Sequence, residues 1–182
     1  MQAKYGVQVK WTHFPLHPDT PPEGRTLEDL FAGRSMDIPA WQARMTALMA
    51  EEGLEYGDRS MTYNSRLAQE LGKWADGEEG GEAIHDALFK AYFVDGVNIA
   101  APDELVRITG EAGLDPDQAR EAIETRSFFD AVDADWRRSA QFGVTAVPTF
   151  AVGGYAAVGA QPYEVLEKLV VKAIEEPHTP EN

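Results

Sequence analysis

The stretch GVTAVPTFAVGGYAAVGAQPYEVLEKLV, residues 143–170, decides the fold. Within it, VPTFAV (147–152) and YAAVG (155–159) predict two short strands. The pair Gly153-Gly154 between them is typical of a tight hairpin turn. A helix is expected to follow from Pro162. Its inward face is predicted to consist of Leu166, Leu169, Val170 and Ala173.

The N-terminal region predicts one more strand. Residues 5–14 (YGVQVKWTHF) alternate apolar Val7, Val9 and Trp11 with polar residues, and this period of two is typical of a strand that ends at Pro15. The following segment, residues 16–24, is rich in proline and predicts a connection without regular structure. A short helix is predicted over 26–32, with Thr26 as its N-cap.

Between residues 37 and 142 nearly all signals are helical. The predicted N-caps are Asp37 and Asn64, and Pro102 and Pro116 suit first helical positions. The acidic, glycine-rich run DGEEGGE (76–82) predicts a break between two helices. The order strand, helices, hairpin, helix indicates an α/β domain with an all-helical insertion. We therefore assign residues 1–36 and 143–176 to the α/β domain, 37–142 to the insertion and 177–182 to a tail.

Composition excludes several function classes. The 182 residues contain 16 Lys plus Arg and 31 Asp plus Glu, a formal net charge of -15, which argues against binding to nucleic acid or to anionic membranes. No apolar run approaches the roughly 20 residues of a membrane-spanning helix, and residues 1–15 lack a secretory apolar region. We therefore expect a cytoplasmic protein. The cysteine count is zero, so these residues contain no disulfide, Cys-ligated metal or thiolate nucleophile.

The pairing of TAVPTF (145–150) with GAQPYE (159–164) resembles the C-terminal half of DsbA-like thioredoxin-fold proteins. VKWTHFPLHPDTPPEG (9–24) is similar to the second strand and following loop of their FrnE-type dithiol–disulfide isomerase branch. The resemblance implies a thioredoxin-like fold with a large helical insertion, and a thiol–disulfide oxidoreductase or isomerase as the function. It also implies a protein or a small thiol or disulfide, glutathione included, as the substrate.

The chain departs from the family pattern at its start. The resemblance implies a first strand and a Cys-x-x-Cys helix before residue 7, and neither the βα unit nor the cysteines is present in this sequence. Three outcomes are expected: the native protein begins earlier, the sheet is completed by a partner or a strand-swapped homodimer, or the strand at 7–14 pairs directly with the hairpin. Whether this chain performs catalysis is left open, and we name no catalytic residue.

The candidate binding residues are Val147, Pro148 and Gln161. In the family that the sequence resembles, the peptide bond before this proline is cis and the preceding backbone pairs with substrate or glutathione; an ordinary trans proline at a strand edge is the alternative. Gln161 precedes a helix whose N-terminal amides could receive an anion such as a glutathione carboxylate; an ordinary glycine turn with Pro162 at the first helical position is the alternative. The kappa-class glutathione transferases and chromene-carboxylate isomerases are expected to have Ser-Asp there, where this chain has Ala160-Gln161.

Other side chains predict no further chemistry. His13 and His17 are four residues apart, but Pro15 lies between them, so we expect no metal site there, and we expect no cofactor. Asp130, Asp133 and Asp135 are interpreted as a solvated helix face. Besides the oxidoreductase, two alternatives remain: a glutathione-dependent isomerase or transferase, and a cysteine-free thioredoxin-fold binding module.

Overall fold

A computed structural model describes residues 1–176. The helices are α1 (Gln2–Tyr5), α2 (Leu27–Leu30), α3 (Ile38–Glu51), α4 (Arg66–Ala75), α5 (Ala83–Phe93), α6 (Pro102–Glu111), α7 (Pro116–Thr125), α8 (Phe129–Gln141) and α9 (Tyr163–Glu175). The strands are β1 (Arg25–Thr26), β2 (Met61–Thr62), β3 (Thr149–Val152) and β4 (Tyr155–Val158). The predicted tail, 177–182, lies outside the described residues.

The chain divides into two units. Within the described residues, one comprises 1–14 and 135–176, and the other 15–134. The second unit begins earlier than the predicted insertion because residues 15–36 make their contacts within it. The Leu27 N–H donates to the Ser60 carbonyl at 2.9 Å, and β1 pairs with β2 in an antiparallel ladder. A two-residue ladder has no period-two signal, so the sequence did not predict it.

The helical unit is organised around α4, α5, α6 and α7. Their apolar stripes meet in a core that includes Leu71, Ile84, Leu105 and Ile123, each at most 4% exposed. The helix starts follow the local signals of the sequence. The Asp37 carboxylate accepts from the Ala40 N–H at 3.0 Å, and the Thr26 hydroxyl accepts from the Asp29 N–H at 3.0 Å. At α4 the N-cap is Ser65 rather than the predicted Asn64, whose side chain accepts from the Arg66 N–H at 2.9 Å.

The other unit contains the predicted hairpin and the helix that packs on it. β3 and β4 are antiparallel, with Val152 opposite Tyr155 across the two-glycine turn. α9 lies against both strands, and its Val170 is 7% exposed. The first residues of the chain contact α9 as well, since the Lys4 ammonium and the Tyr5 hydroxyl donate to the Glu167 carboxylate at 2.9 and 3.1 Å.

The predicted strand over residues 5–14 is wrong. Tyr5 ends the short helix α1, and residues 6–15 form neither helix nor strand. A strand needs a neighbouring strand whose backbone groups pair with its own. Here the backbone of His13 is hydrogen-bonded by two side chains of α8 instead. The Asp135 carboxylate accepts from the His13 N–H at 2.9 Å, and the Ser139 hydroxyl donates to the His13 carbonyl at 3.2 Å. Direct pairing of this segment with the hairpin, one of the three expected outcomes, is therefore also wrong.

Candidate substrate-binding site

The hairpin register determines where the backbone of β3 points. Along the ladder, two kinds of residue pair alternate. One kind comprises Val152–Tyr155 and Phe150–Ala157, and the other comprises the pairs at Ala151 and Thr149. In a hairpin with a two-residue turn, the pair next to the turn is hydrogen-bonded and every second pair follows it. The Gly159 N–H, which donates to the Pro148 carbonyl at 2.8 Å, continues this pattern by one more pair. The N–H and C=O groups of Thr149 and Ala151 therefore point away from β4.

This second edge of β3 is free within residues 1–176, where β4 is the strand that pairs with β3. The edge is also accessible to solvent, because Val147 is 45% and Phe150 is 40% exposed. Unpaired strand edges bind other extended chains, since their backbone donors and acceptors are already aligned. The chain thus presents a short template of main-chain groups flanked by exposed apolar side chains.

The turn before β3 contains two of the three candidate binding residues. The Val147-Pro148 peptide bond is cis. The Thr149 hydroxyl donates to the Ala146 carbonyl at 2.7 Å and closes the turn on its own backbone. Pro148 is exposed, and its carbonyl is engaged by Gly159. Val147 and Pro148 are therefore exposed to solvent, while the Pro148 carbonyl is held by the residue that follows β4.

Gln161 lies at the corner that follows β4, and the bond between Pro148 and Gly159 brings this corner next to the proline turn. Its side-chain amide donates to the Val158 carbonyl at 2.6 Å, so it stabilises the turn. α9 starts one residue later than predicted, with Pro162 as its N-cap. Glu164 lies in the first turn and opposes an anion at this helix end.

Several titratable side chains of this unit meet at Glu167 on α9, which contacts Lys4, Tyr5 and Tyr163. The Lys4 ammonium hydrogen-bonds to the Glu167 carboxylate and lowers the pKa of Glu167. Partial desolvation, followed by the negative charge of Glu167, raises the pKa of Tyr163. A phenol with a raised pKa stays protonated at neutral pH and is a poor nucleophile. Since the sequence has no cysteine, these residues contain no thiolate.

Two features of the helical unit escaped the sequence reasoning. Glu70 is buried between two arginines, and its i,i+4 spacing from Arg66 was an available signal. Arg59 is buried beside a cavity, and nothing in its sequence context distinguishes it from an exposed arginine. Within residues 1–176 no group of three or more His, Asp or Glu side chains is arranged to hold a metal ion.

The model of the DSBA-like thioredoxin domain family matches residues 1–171. The chain belongs to this family. It has the DsbA-like thioredoxin fold, in a mixed α/β form that consists mostly of helices, and it is a member of the DsbA-like thiol–disulfide oxidoreductases. Within the described residues, no helix is both long enough and apolar enough to cross a bilayer.

Two solved structures agree with this assignment, and one curated relative matches most of the chain. The probable DsbA oxidoreductase SCO1869 from Streptomyces coelicolor superimposes with a TM-score of 0.78 and 30% identity, over 91% of this chain and 74% of that one. The cytosolic disulfide reductase DsbM from Pseudomonas aeruginosa, solved with GSH, gives a TM-score of 0.52 and 25% identity, over 75% of this chain and 69% of that one. The uncharacterized protein YwbO from Bacillus subtilis is 27% identical over 167 residues, which are 90% of this chain and 81% of YwbO.

Proposed function

We propose that this DsbA-like protein binds the extended backbone of a thiol- or disulfide-bearing peptide along the free edge of β3, next to Val147 and Pro148. The observation that carries the proposal is the outward direction of the N–H and C=O groups of Thr149 and Ala151 on an exposed strand edge. Main-chain pairing supplies affinity without demanding a particular side-chain sequence. A protein that handles thiols or disulfides in many different peptides needs this tolerance.

The chemistry at this edge is thiol–disulfide exchange. A thiolate attacks one sulfur of a disulfide, a new S–S bond forms, and the other sulfur leaves as a thiolate, so no net electron donor is consumed. Because the 182 residues contain no cysteine, the attacking thiolate comes from a substrate or from chain outside these residues. The role of the residues described here is to hold the substrate backbone in register beside that reaction.

Glutathione is a second substrate class for the same edge. Its peptide-like backbone suits main-chain pairing, and the related disulfide reductase DsbM was solved with GSH. The engaged amide of Gln161 and the acidic Glu164 weigh against a dedicated carboxylate pocket at the start of α9. We therefore infer weaker binding of glutathione than of an extended peptide. A cytoplasmic location, an isomerase activity and strand pairing between two copies remain proposals beside this one.

The decisive test removes one outward N–H of β3. Ala151→Pro deletes a donor that faces the free edge, and proline is tolerated at such a position. Loss of one main-chain hydrogen bond is worth about 0.5–1.5 kcal/mol, so binding should weaken about 2- to 10-fold. The measurement is the titration of a fluorescently labelled, extended peptide with an internal disulfide, followed by anisotropy.

Ala151→Val is the matched control, because it changes the side chain and keeps the N–H. It should bind the peptide as the unmodified chain does. Equal affinity of both variants and the parent would contradict docking along this edge. Light scattering at the same concentrations would show whether two copies already pair there.

A further inference from the structure

A small cavity lies in the helical unit where the segment 58–61 passes the C-terminal end of α5. Its volume is about 90 Å³, and Tyr63, Tyr92 and Gly96 complete its lining. The path of this segment is constrained at Gly57, whose N–H donates to the Phe93 carbonyl at 2.9 Å. A Cβ at Gly57 would collide with the backbone of Val94, so the wall of the cavity is held close to α5.

Arg59 is the positively charged residue of this wall and is 9% exposed. Its Nη2 donates to the Tyr92 hydroxyl at 2.6 Å and to the Met61 carbonyl at 3.4 Å. The guanidinium carbon lies 4.3 Å from the ring centre of Tyr92 and 4.9 Å from that of Phe93. Its buried Nε donates to no atom of the described chain. Every partner of this guanidinium is therefore neutral.

The lack of a counter-charge sets Arg59 apart from Arg66, another partly buried arginine. Arg66, whose side chain is 14% exposed, meets the carboxylates of Glu70 and Asp133 at 2.7 Å each. Arg59 forms no ion pair within residues 1–176, although the chain has 31 acidic residues and Asp58 lines the same cavity. A buried charge without a partner of opposite sign is costly, because the low-dielectric interior replaces its hydration shell incompletely.

We propose that this cavity binds a small oxyanion, a carboxylate or a phosphate group, which supplies the counter-charge of Arg59. Guanidinium groups pair with both through short, charge-assisted hydrogen bonds. Ser60 and Tyr92 also line the cavity, and hydroxyls are neutral groups that can donate to an oxyanion. The volume suits acetate or inorganic phosphate and is too small for a nucleotide. Asp58 and the acidic surface oppose binding, so we expect weak but saturable occupancy.

The test is an NMR titration of the whole chain with sodium acetate and, in a separate arm, with inorganic phosphate. Chloride keeps the ionic strength constant, and amide shifts report the site. Saturable shifts confined to residues 57–63 and 92–96 are expected, and the arm that saturates first identifies the anion class. Shifts that grow linearly, or that lie elsewhere in the chain, would overturn the proposal.

Two variants separate this pocket from general charge effects. Arg59→Gln and Arg44→Gln change the net charge equally, but Arg44 is exposed on α3. Saturation should persist in R44Q and disappear in R59Q, whereas its persistence in R59Q would overturn the proposal. If R59Q does not fold, Tyr92→Phe replaces it, because this change removes only a hydroxyl. The apparent affinity of this variant for the anion should fall several-fold. An unchanged affinity would count against the site.

Discussion

At the scale of single residues, the carboxylate of Glu70 links α4 to the end of α7. Its side chain is 2% exposed and accepts hydrogen bonds from Arg66 and Arg126, each at 2.7 Å. Burial alone raises the pKa of Glu70, but the bonds from Arg126 and Arg66 together outweigh it and lower the pKa below its ordinary value of 4.5. The i,i+4 spacing of Arg66 and Glu70 predicts an ion pair within one helix. The ion pair of Glu70 with Arg126 joins residues that are distant in sequence, so no local pattern predicts it.

Glu70→Gln should therefore destabilise the chain at neutral pH by about 2 kcal/mol, because a hydrogen-bonded buried charge is lost. A lowered folded-state pKa contributes stability above the unfolded pKa and loses it as the pH falls through the folded value. The difference between parent and variant should thus shrink below about pH 4.5. Urea unfolding between pH 7 and pH 3 measures it. The control is Glu104→Gln, which removes an exposed ion pair with Arg107 and should lower the free energy of unfolding by well under 1 kcal/mol. Equal losses in the two variants would contradict this account.

At the scale of elements, the sequence located turns better than ladders. Two adjacent glycines were enough to predict the hairpin, because a tight two-residue turn favours residues that can adopt positive φ. In the structure φ is 55° at Gly153 and 85° at Gly154. Alternation over residues 5–14 predicted a strand wrongly, because a period of two reports side-chain pattern and not the presence of a neighbour. Arg59 could not be distinguished from a surface arginine, since its burial depends on the close approach of Gly57 to α5.

In the break between α4 and α5, residues 76–82, the close packing of the backbone requires a glycine at position 81. Gly81 is buried, and a Cβ there would collide with the Ala75 carbonyl at the end of α4. Gly81→Ala should destabilise the helical unit by about 1–3 kcal/mol, the usual cost of overpacking. Thermal unfolding followed by circular dichroism measures this loss. Gly77→Ala is the control in the same segment, since its Cβ would lie an ordinary 3.4 Å from the Trp74 carbonyl; similar losses for both would contradict a local clash.

At the scale of the whole molecule, family membership could be predicted from residues 143–170, whereas the division into units could not. The predicted boundary at residue 36 assumed that the proline-rich connection stays with the α/β domain. In the structure the Asn64 side chain donates to the Pro18 and Thr20 carbonyls at 3.0 and 2.7 Å, so that connection packs with the helices. Contacts of this kind join residues more than forty positions apart and leave no local pattern.

The absence of a thiol predicts how the whole chain behaves in a redox assay. Dithiothreitol-driven precipitation of insulin should proceed at the background rate when the 182-residue chain is added, because no cysteine in it can form the mixed disulfide. A Cys-x-x-Cys oxidoreductase at the same concentration is the positive control. Peptide binding at β3 should persist in the same samples, since it depends on backbone groups and not on a thiol. Precipitation faster than background would contradict the expectation that faster disulfide reduction needs a cysteine within the added chain.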